Sequence, residues 1–214
     1  MFEIIRLFLD ALFFFYIAMW IIFPAYLANA VAVPVTRRLR NQLHYIDGGR
    51  MLLGQRLFGD GKTVEGFLLA SAIGIAGGIA QIILAPVFQW VSLRWLDAYQ
   101  TILVDRAQVI FYVSGNMATL GRALLYPVGA MAGDLLGSFI KRRLRIPRGA
   151  KAPLLDQLDF IVGVMLLTLP FTFAGWSFLQ LDPMYIVLIV VLTPAIHLAT
   201  NKLAFRMRIK DVAH

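Results

Sequence analysis

The chain has 214 residues, of which 60% are hydrophobic and only 15% charged, with a formal net charge of +8. Soluble domains carry about 25% charged and about 45–50% apolar residues, so a soluble globule is excluded and a bilayer-embedded protein is implied. With no cysteine in the chain, disulfide frameworks and thiolate metal sites are excluded as well.

A spanning helix needs about 20 predominantly apolar residues. The first such run, 11–36, contains no charged residue and is longer than the roughly 7–15-residue apolar core of a cleavable signal peptide. A basic loop, 37–62, leads to a second span at 66–90. The stretch from Ala107 to Ile140 is too long for one upright helix at about 1.5 Å per residue and too short for two. The third span is placed at 119–141, with the residues from Ala107 onward as its extension or an interfacial piece. Gly129, Gly133 and Gly137 recur at four-residue spacing there, a small-residue stripe that lets another helix approach closely, within the chain or from a second copy. A second basic loop, 142–156, precedes spans at 157–181 and 183–204. Only Asp182 and the turn-forming Pro183 lie between the uncharged parts of these last two, so they read as a helical hairpin. The expected fold is all-α: one integral membrane domain over 1–214 with five transmembrane helices and no internal repeat.

Charge orients the spans. Arg37, Arg38, Arg40, Arg50, Arg56 and Lys62 lie in the first basic loop; Lys141, Arg142, Arg143, Arg145, Arg148 and Lys151 cluster around the second; Lys202, Arg206, Arg208 and Lys210 follow the last apolar run. On the other side, Arg94 and Arg106 are offset by Asp97 and Asp105. The positive-inside rule puts the basic loops and the C-terminus in the cytoplasm and the N-terminus outside. The basic residues read as membrane-flanking charges attracted to anionic headgroups. No aromatic residues interleave with them as a stacking platform, so nucleic acid is not an expected partner.

Carboxylates near membrane depth need a reason. Asp134 lies within the third span, about 10 Å from Lys141 along the helix. Asp134, Ser138 and Lys141 share one helix face. Asp156 and Asp159, three apart where the fourth span begins, can also point one way. Three carboxylates beside a basic loop suit a hard divalent cation or a set of structural ion pairs; spacing alone leaves both open. In the first loop, Gly59-Asp60-Gly61-Lys62-Thr63-Val64-Glu65-Gly66 offers backbone that a ligand can approach closely. Thr63 is placed to cap the second span, whose N-terminus could receive phosphate, although a turn and helix start would look the same. His44, His197 and His214 lack metal-ligand spacing. Asn29 and Asn116 are read as interhelical hydrogen-bonding residues.

The run Leu57-Phe58-Gly59-Asp60-Gly61-Lys62-Thr63-Val64-Glu65-Gly66 resembles the K-T-x-E-G element of the membrane CTP:phosphatidate cytidylyltransferases. The run from Gly133-Asp134 through Ser138 to Lys141-Arg142, followed by Asp156-Gln157-Leu158-Asp159, resembles that family's G-D…S-x-x-K-R and D-R-x-D signature. Gln157 stands where bacterial members have arginine, and the Lys-Asp pair after S-x-x-K-R is absent. These departures, with Pro24-Ala25-Tyr26-Leu27-Ala28-Asn29 ahead of Gly54-Gln55-Arg56, resemble the archaeal branch. The resemblance implies transfer of CMP from CTP to an isoprenoid ether lipid phosphate at the cytoplasmic face of the cell membrane, with Mg²⁺ as cofactor. It implies catalytic roles for Lys62, Asp134, Asp156 and Asp159, with Asp156, Asp159 and Asp134 as metal ligands. Gly61, Lys62, Thr63, Glu65, Ser138 and Lys141 would bind substrate. The rival readings are a small transporter or channel using intramembrane Asp134, and a lipid-alcohol kinase. Oligomeric state is left open.

Overall fold

The computed structural model describes residues 2–39, 43–99, 106–114, 116–147, 150, 152–175 and 183–206, without the side chains of residues 2, 153, 195–198 and 200–206. Among the described residues six helices form a bundle: α1 (Phe2–Arg38), α2 (Val64–Tyr99), α3 (Arg106–Val113), α4 (Met117–Arg143), α5 (Pro153–Phe173) and α6 (Pro183–Arg206). Four of them, α1, α2, α4 and α5, are long and apolar enough to cross a membrane, and α6 contains a shorter apolar helix, Pro183–Pro194. The chain is a polytopic helical membrane protein. Large apolar side chains such as Ile83, Val87, Val162 and Val191 lie on the outside, where lipid rather than water is the matching solvent.

Glycines set the packing. Helix α4 is central, lying against α1, α2 and α5. A β-carbon on Gly129 would stand 2.7 Å from Val164 Cα, and one on Gly133 would stand 2.9 Å from Gly163 Cα. The α4 stripe therefore serves contact within the chain, seating α5 with backbone nearly on backbone. On α2, a β-carbon at Gly74 would meet Ala28 and the Pro24 carbonyl of α1 and Pro127 of α4, so three helices converge at one hydrogen atom.

Proline inside a span leaves a carbonyl one turn earlier without its helical donor. Pro24 does this to Trp20, and buried Gln81 of α2 fills the gap: its Nε2 donates to Trp20 O at 2.7 Å. Such repair by a neighbouring helix is what makes intramembrane proline tolerable. Tyr26 ties α1 to α6 through its hydroxyl, 2.6 Å from Thr193 Oγ1.

The structure adds detail to the sequence expectations and departs from them at the end of α5. The stretch from Ala107 does not continue α4: α3 is a separate helix with Val109, Tyr112 and Val113 buried in the core. Asn116 links two helices as expected and also caps α4: its side chain accepts from Thr119 N–H at 3.0 Å and donates to Phe111 O of α3 at 3.2 Å. Buried Arg122 pins α3 to α4 by donating to Tyr112 O and Thr119 Oγ1, each at 3.0 Å. Helix α5 stops at Phe173, short of 181, because Ala174 turns the chain and Gly175 follows at φ +89°; residues 176–182, with the expected turn at Asp182, lie outside the described residues. The first basic loop is not wholly irregular, since Met51–Leu52 (β1) and Gln55–Arg56 (β2) pair antiparallel. His214, Arg148, Lys151, Arg208 and Lys210, and the side chains of His197, Lys202 and Arg206, are also outside the described residues.

Candidate active site

The loop before α2 is built around one carboxylate. Asp47, buried, accepts from Gly49 N–H (3.0 Å), Phe58 N–H (3.2 Å) and Arg56 Nη2 (2.5 Å). Burial pushes the Asp47 carboxyl up, but the hydrogen bonds from Arg56 and the two N–H groups outweigh it and hold the carboxyl below its ordinary range. Arg56 also reaches Asp60 at 2.8 Å. Helix α4 grips the hairpin from outside: Arg143 donates to Leu52 O (2.6 Å) and Arg56 O (2.9 Å). The loop's end is zipped to its start, with Ile46 N–H donating to Lys62 O at 3.1 Å and Val64 N–H to His44 O at 2.9 Å. These contacts fix the backbone that carries Lys62.

Thr63 caps α2 as expected, its Oγ1 accepting from Gly66 N–H at 3.2 Å. Lys62 crosses to α4, where Nζ donates to Asp134 Oδ2 at 2.5 Å. The pair sits in a small cleft of about 50 Å³ lined by Thr36 of α1, by Gly61, Thr63 and Phe67, and by Met131 of α4. Both side chains are only partly exposed, 25% for lysine and 19% for aspartate, so their charges act through a medium poorer than water.

One helical face links this cleft to α5. Beyond Asp134 on α4 come Gly137, buried Ser138 and Lys141, and Lys141 forms an ion pair with Asp156. Asp156 in turn accepts from Ala152 N–H at 3.0 Å in the first turn of α5. Asp159, one turn further, packs on Gly137. Its Oδ1 accepts from Phe160 N–H at 2.7 Å, and its carboxylate feels the charges of Asp134, Lys62 and Lys141. Lys62, Asp134, Ser138, Lys141, Asp156 and Asp159 are thus brought to one end of the bundle, with Gly61 and Thr63 in the cleft wall.

Glu65, expected to bind substrate, accepts from His44 N–H at 2.9 Å and pairs with His44 Nδ1 at 2.5 Å. Asp134, Asp156 and Asp159 do not form the expected three-carboxylate cage; among the described residues no group of three or more His, Cys, Asp or Glu side chains comes together for a metal. Asp134 on α4 and Asp159 on α5 are near enough for their charges to repel, while Asp156 pairs with Lys141. Mg²⁺ takes one or two protein carboxylates and completes its shell with water and substrate phosphates, so the Asp134–Asp159 donor set fits it without a third carboxylate. Sequence reading missed Asp47, Arg56 and Arg143, whose partners lie across a loop or on backbone carbonyls that no spacing rule reveals.

Fold and site together define a helical membrane protein with a lysine- and aspartate-lined polar cleft at one end of its bundle, next to apolar helix surface. A family model described as CarS-like, CDP-archaeol synthase, matches residues 8–214. The CDP-archaeol synthase of Halobacterium salinarum is 36% identical over 197 residues, covering 91% of this chain and 94% of that protein. That of Methanocaldococcus jannaschii is 36% identical over 195 residues at the same coverage, and that of Thermofilum pendens 38% over 198 residues, covering 78% of the relative. A solved structure of an intramembrane enzyme for archaeal membrane lipid biosynthesis superposes with a TM-score of 0.60 at 32% identity, covering 86% of this chain and 92% of that one. The chain belongs to the CarS-like, CDP-archaeol synthase family.

Proposed function

We propose that this protein transfers CMP from CTP to an archaeal ether lipid phosphate, giving CDP-archaeol and pyrophosphate. The observation that carries the reading is the Lys62–Asp134 pair in its cleft, with Asp159 of α5 within reach of their charges, in a chain related over nine-tenths of its length to CDP-archaeol synthases. The lipid phosphate is already an anion, so the reaction needs no strong general base. Its oxygen attacks the α-phosphorus of CTP in line and pyrophosphate leaves. Catalysis then rests on positioning and on neutralising phosphate charge.

Lys62, presented by the rigid loop, contacts the triphosphate, and Gly61 and Thr63 give close backbone approach. Ser138 and Lys141 lie along α4 between the Lys62–Asp134 cleft and α5, placed for phosphate at the far side. Glu65 acts through His44 by closing the loop that aims Lys62. Asp134 and Asp159 would hold Mg²⁺, with Asp156 entering the shell when its pair with Lys141 opens. When bound, the ion supplies charge neutralisation on phosphate oxygens. The isoprenoid chains remain in the bilayer while CTP comes from water, which requires a site at the membrane edge.

The proposal includes five spans, α6 being the fifth, with the N-terminus outside and the loops at 37–62 and 142–156 in the cytoplasm. Transport through Asp134 is disfavoured because Lys62 already neutralises that carboxylate. The test is purified protein with Mg²⁺, lipid phosphate and CTP labelled at the α- or γ-phosphate. Lipid carrying α-label is the expected result. Lipid carrying γ-label would make the protein a kinase, and lipid conversion without nucleotide would end both readings.

A further inference from the structure

The loop end of α4 carries three consecutive cations, Lys141, Arg142 and Arg143. Lys141 is committed to Asp156 and Arg143 to the carbonyls of Leu52 and Arg56. Across from them, Lys62 is committed to Asp134 and Arg56 to Asp47 and Asp60. Arg142 is different: its Nε, like that of Arg143, is buried without a hydrogen bond, but among the described residues the rest of its guanidinium has no carboxylate or carbonyl partner either. A buried donor without an acceptor is costly, and a guanidinium is built to grip phosphate through two parallel donors.

Its position supplies the acceptor's identity. Arg142 lies against Gly59, where a β-carbon would be 3.7 Å from Cδ and 3.8 Å from Nε. Gly59 at φ +89° opens the turn that Lys62 closes, Lys62 N–H donating to Gly59 O at 3.3 Å. Arg142 and Lys62 therefore flank one glycine turn from its two ends. Along α4 the two sites differ in depth: Asp134, which Lys62 reaches, is eight residues and about 12 Å further into the bundle. A phosphate tethered to the bilayer arrives at the deep end. A soluble polyphosphate enters and leaves at the rim.

We infer that Arg142 binds the pyrophosphate end of the nucleoside triphosphate at the cleft rim, holding the leaving group while Lys62 acts nearer the reacting phosphorus. This rests on the cytidylyl-transfer reading above, deepening it by one residue and one subsite.

The experiment compares wild type, R142A and R142K in purified, full-length form. It measures inorganic pyrophosphate binding by calorimetry, product inhibition by pyrophosphate, KM for CTP and KM for lipid phosphate. R142A should lose about tenfold or more in pyrophosphate affinity and in KM for CTP, with the KM for lipid phosphate unchanged. R142K, which keeps the charge but not the fork, should fall between. Should alanine unfold the protein, the lysine variant still reads the subsite. Unaltered pyrophosphate affinity in both variants, or a loss confined to lipid phosphate, would overturn the assignment while leaving cytidylyl transfer standing. Arg142-dependent pyrophosphate binding in a protein that makes no CDP-lipid would do the reverse.

Discussion

Gly137 of α4 lies so close to Asp159 of α5 that a β-carbon on it would stand 2.5 Å from the carboxylate Oδ2 and 2.8 Å from Cβ. The small-residue stripe that seats α5 thus also sets where a candidate metal ligand rests. Gly137→Ala must displace the Asp159 side chain, whereas Gly133→Ala must displace α5 backbone, since its β-carbon would press on the Asp159 carbonyl and on Gly163 Cα. Overpacking of this kind costs about 1–3 kcal/mol. The expected outcome is a larger loss of melting temperature for Gly133→Ala. Gly137→Ala should lose turnover out of proportion to its stability. Equal ratios of activity to stability in the two variants would remove Asp159 from the active arrangement.

Gln81 repairs the carbonyl that Pro24 orphans on Trp20. Gln81→Leu keeps the bulk and removes the donor, leaving a buried acceptor in a low-dielectric span; the expected cost is about 1–3 kcal/mol. Thermal unfolding in detergent should register it, while KM for CTP stays unchanged because Gln81 is far from the cleft at Lys62. Adding Pro24→Ala, which restores a helical donor, should recover most of the loss. Failure of the double variant to recover would mean that Gln81 stabilises the protein by another route.

Asp47 gives the loop a pH dependence with a definite sign. Its folded carboxyl lies below the ordinary value of 3.8, so its contribution is complete above that value and is lost as pH falls through the lower folded one. The contacts it holds, from Gly49, Arg56 and Phe58, keep the hairpin under Arg143. Acidification below about pH 4 should loosen residues 47–58 before the helices melt, read as faster amide exchange or proteolysis confined to that loop. Asp47→Asn should show the loosened loop at neutral pH and lose the acid transition. A loop equally protected in Asp47→Asn would refute this role.

The spans were legible because apolar length is a direct physical demand of the bilayer; α1, α2 and α4 contain the expected stretches with helical margins beyond them. The Gly129–Gly137 stripe was legible for the same reason: only small residues allow such an approach. Asp134, Ser138 and Lys141 could be placed on one face from helical spacing. Partner choice could not. That Glu65 takes His44, or that Asp156 takes Lys141, depends on how the 43–63 loop folds back on α2 and how α5 crosses α4. The end of α5 was misplaced because apolar composition continues past Phe173 while the backbone turns at Ala174–Gly175.

Lys62 and Asp134 pose the sharpest question, whether their pair serves the fold or the chemistry. Lys62→Met leaves the Asp134 carboxylate without its ammonium, and Asp134→Asn leaves the ammonium without its carboxylate, in a cleft where both are more than half buried. Each single change should destabilise by about 1–3 kcal/mol. The double variant Lys62→Met with Asp134→Asn carries neither orphan charge, so its stability should return toward wild type, a coupling that a double-mutant cycle measures. Turnover should follow a different pattern and fall by about 10²–10³ in all three proteins, because CTP loses its lysine or the metal its carboxylate whatever the stability. A double variant that regains both stability and turnover would make the pair a structural tie only. The triphosphate would then have to be held elsewhere along α4.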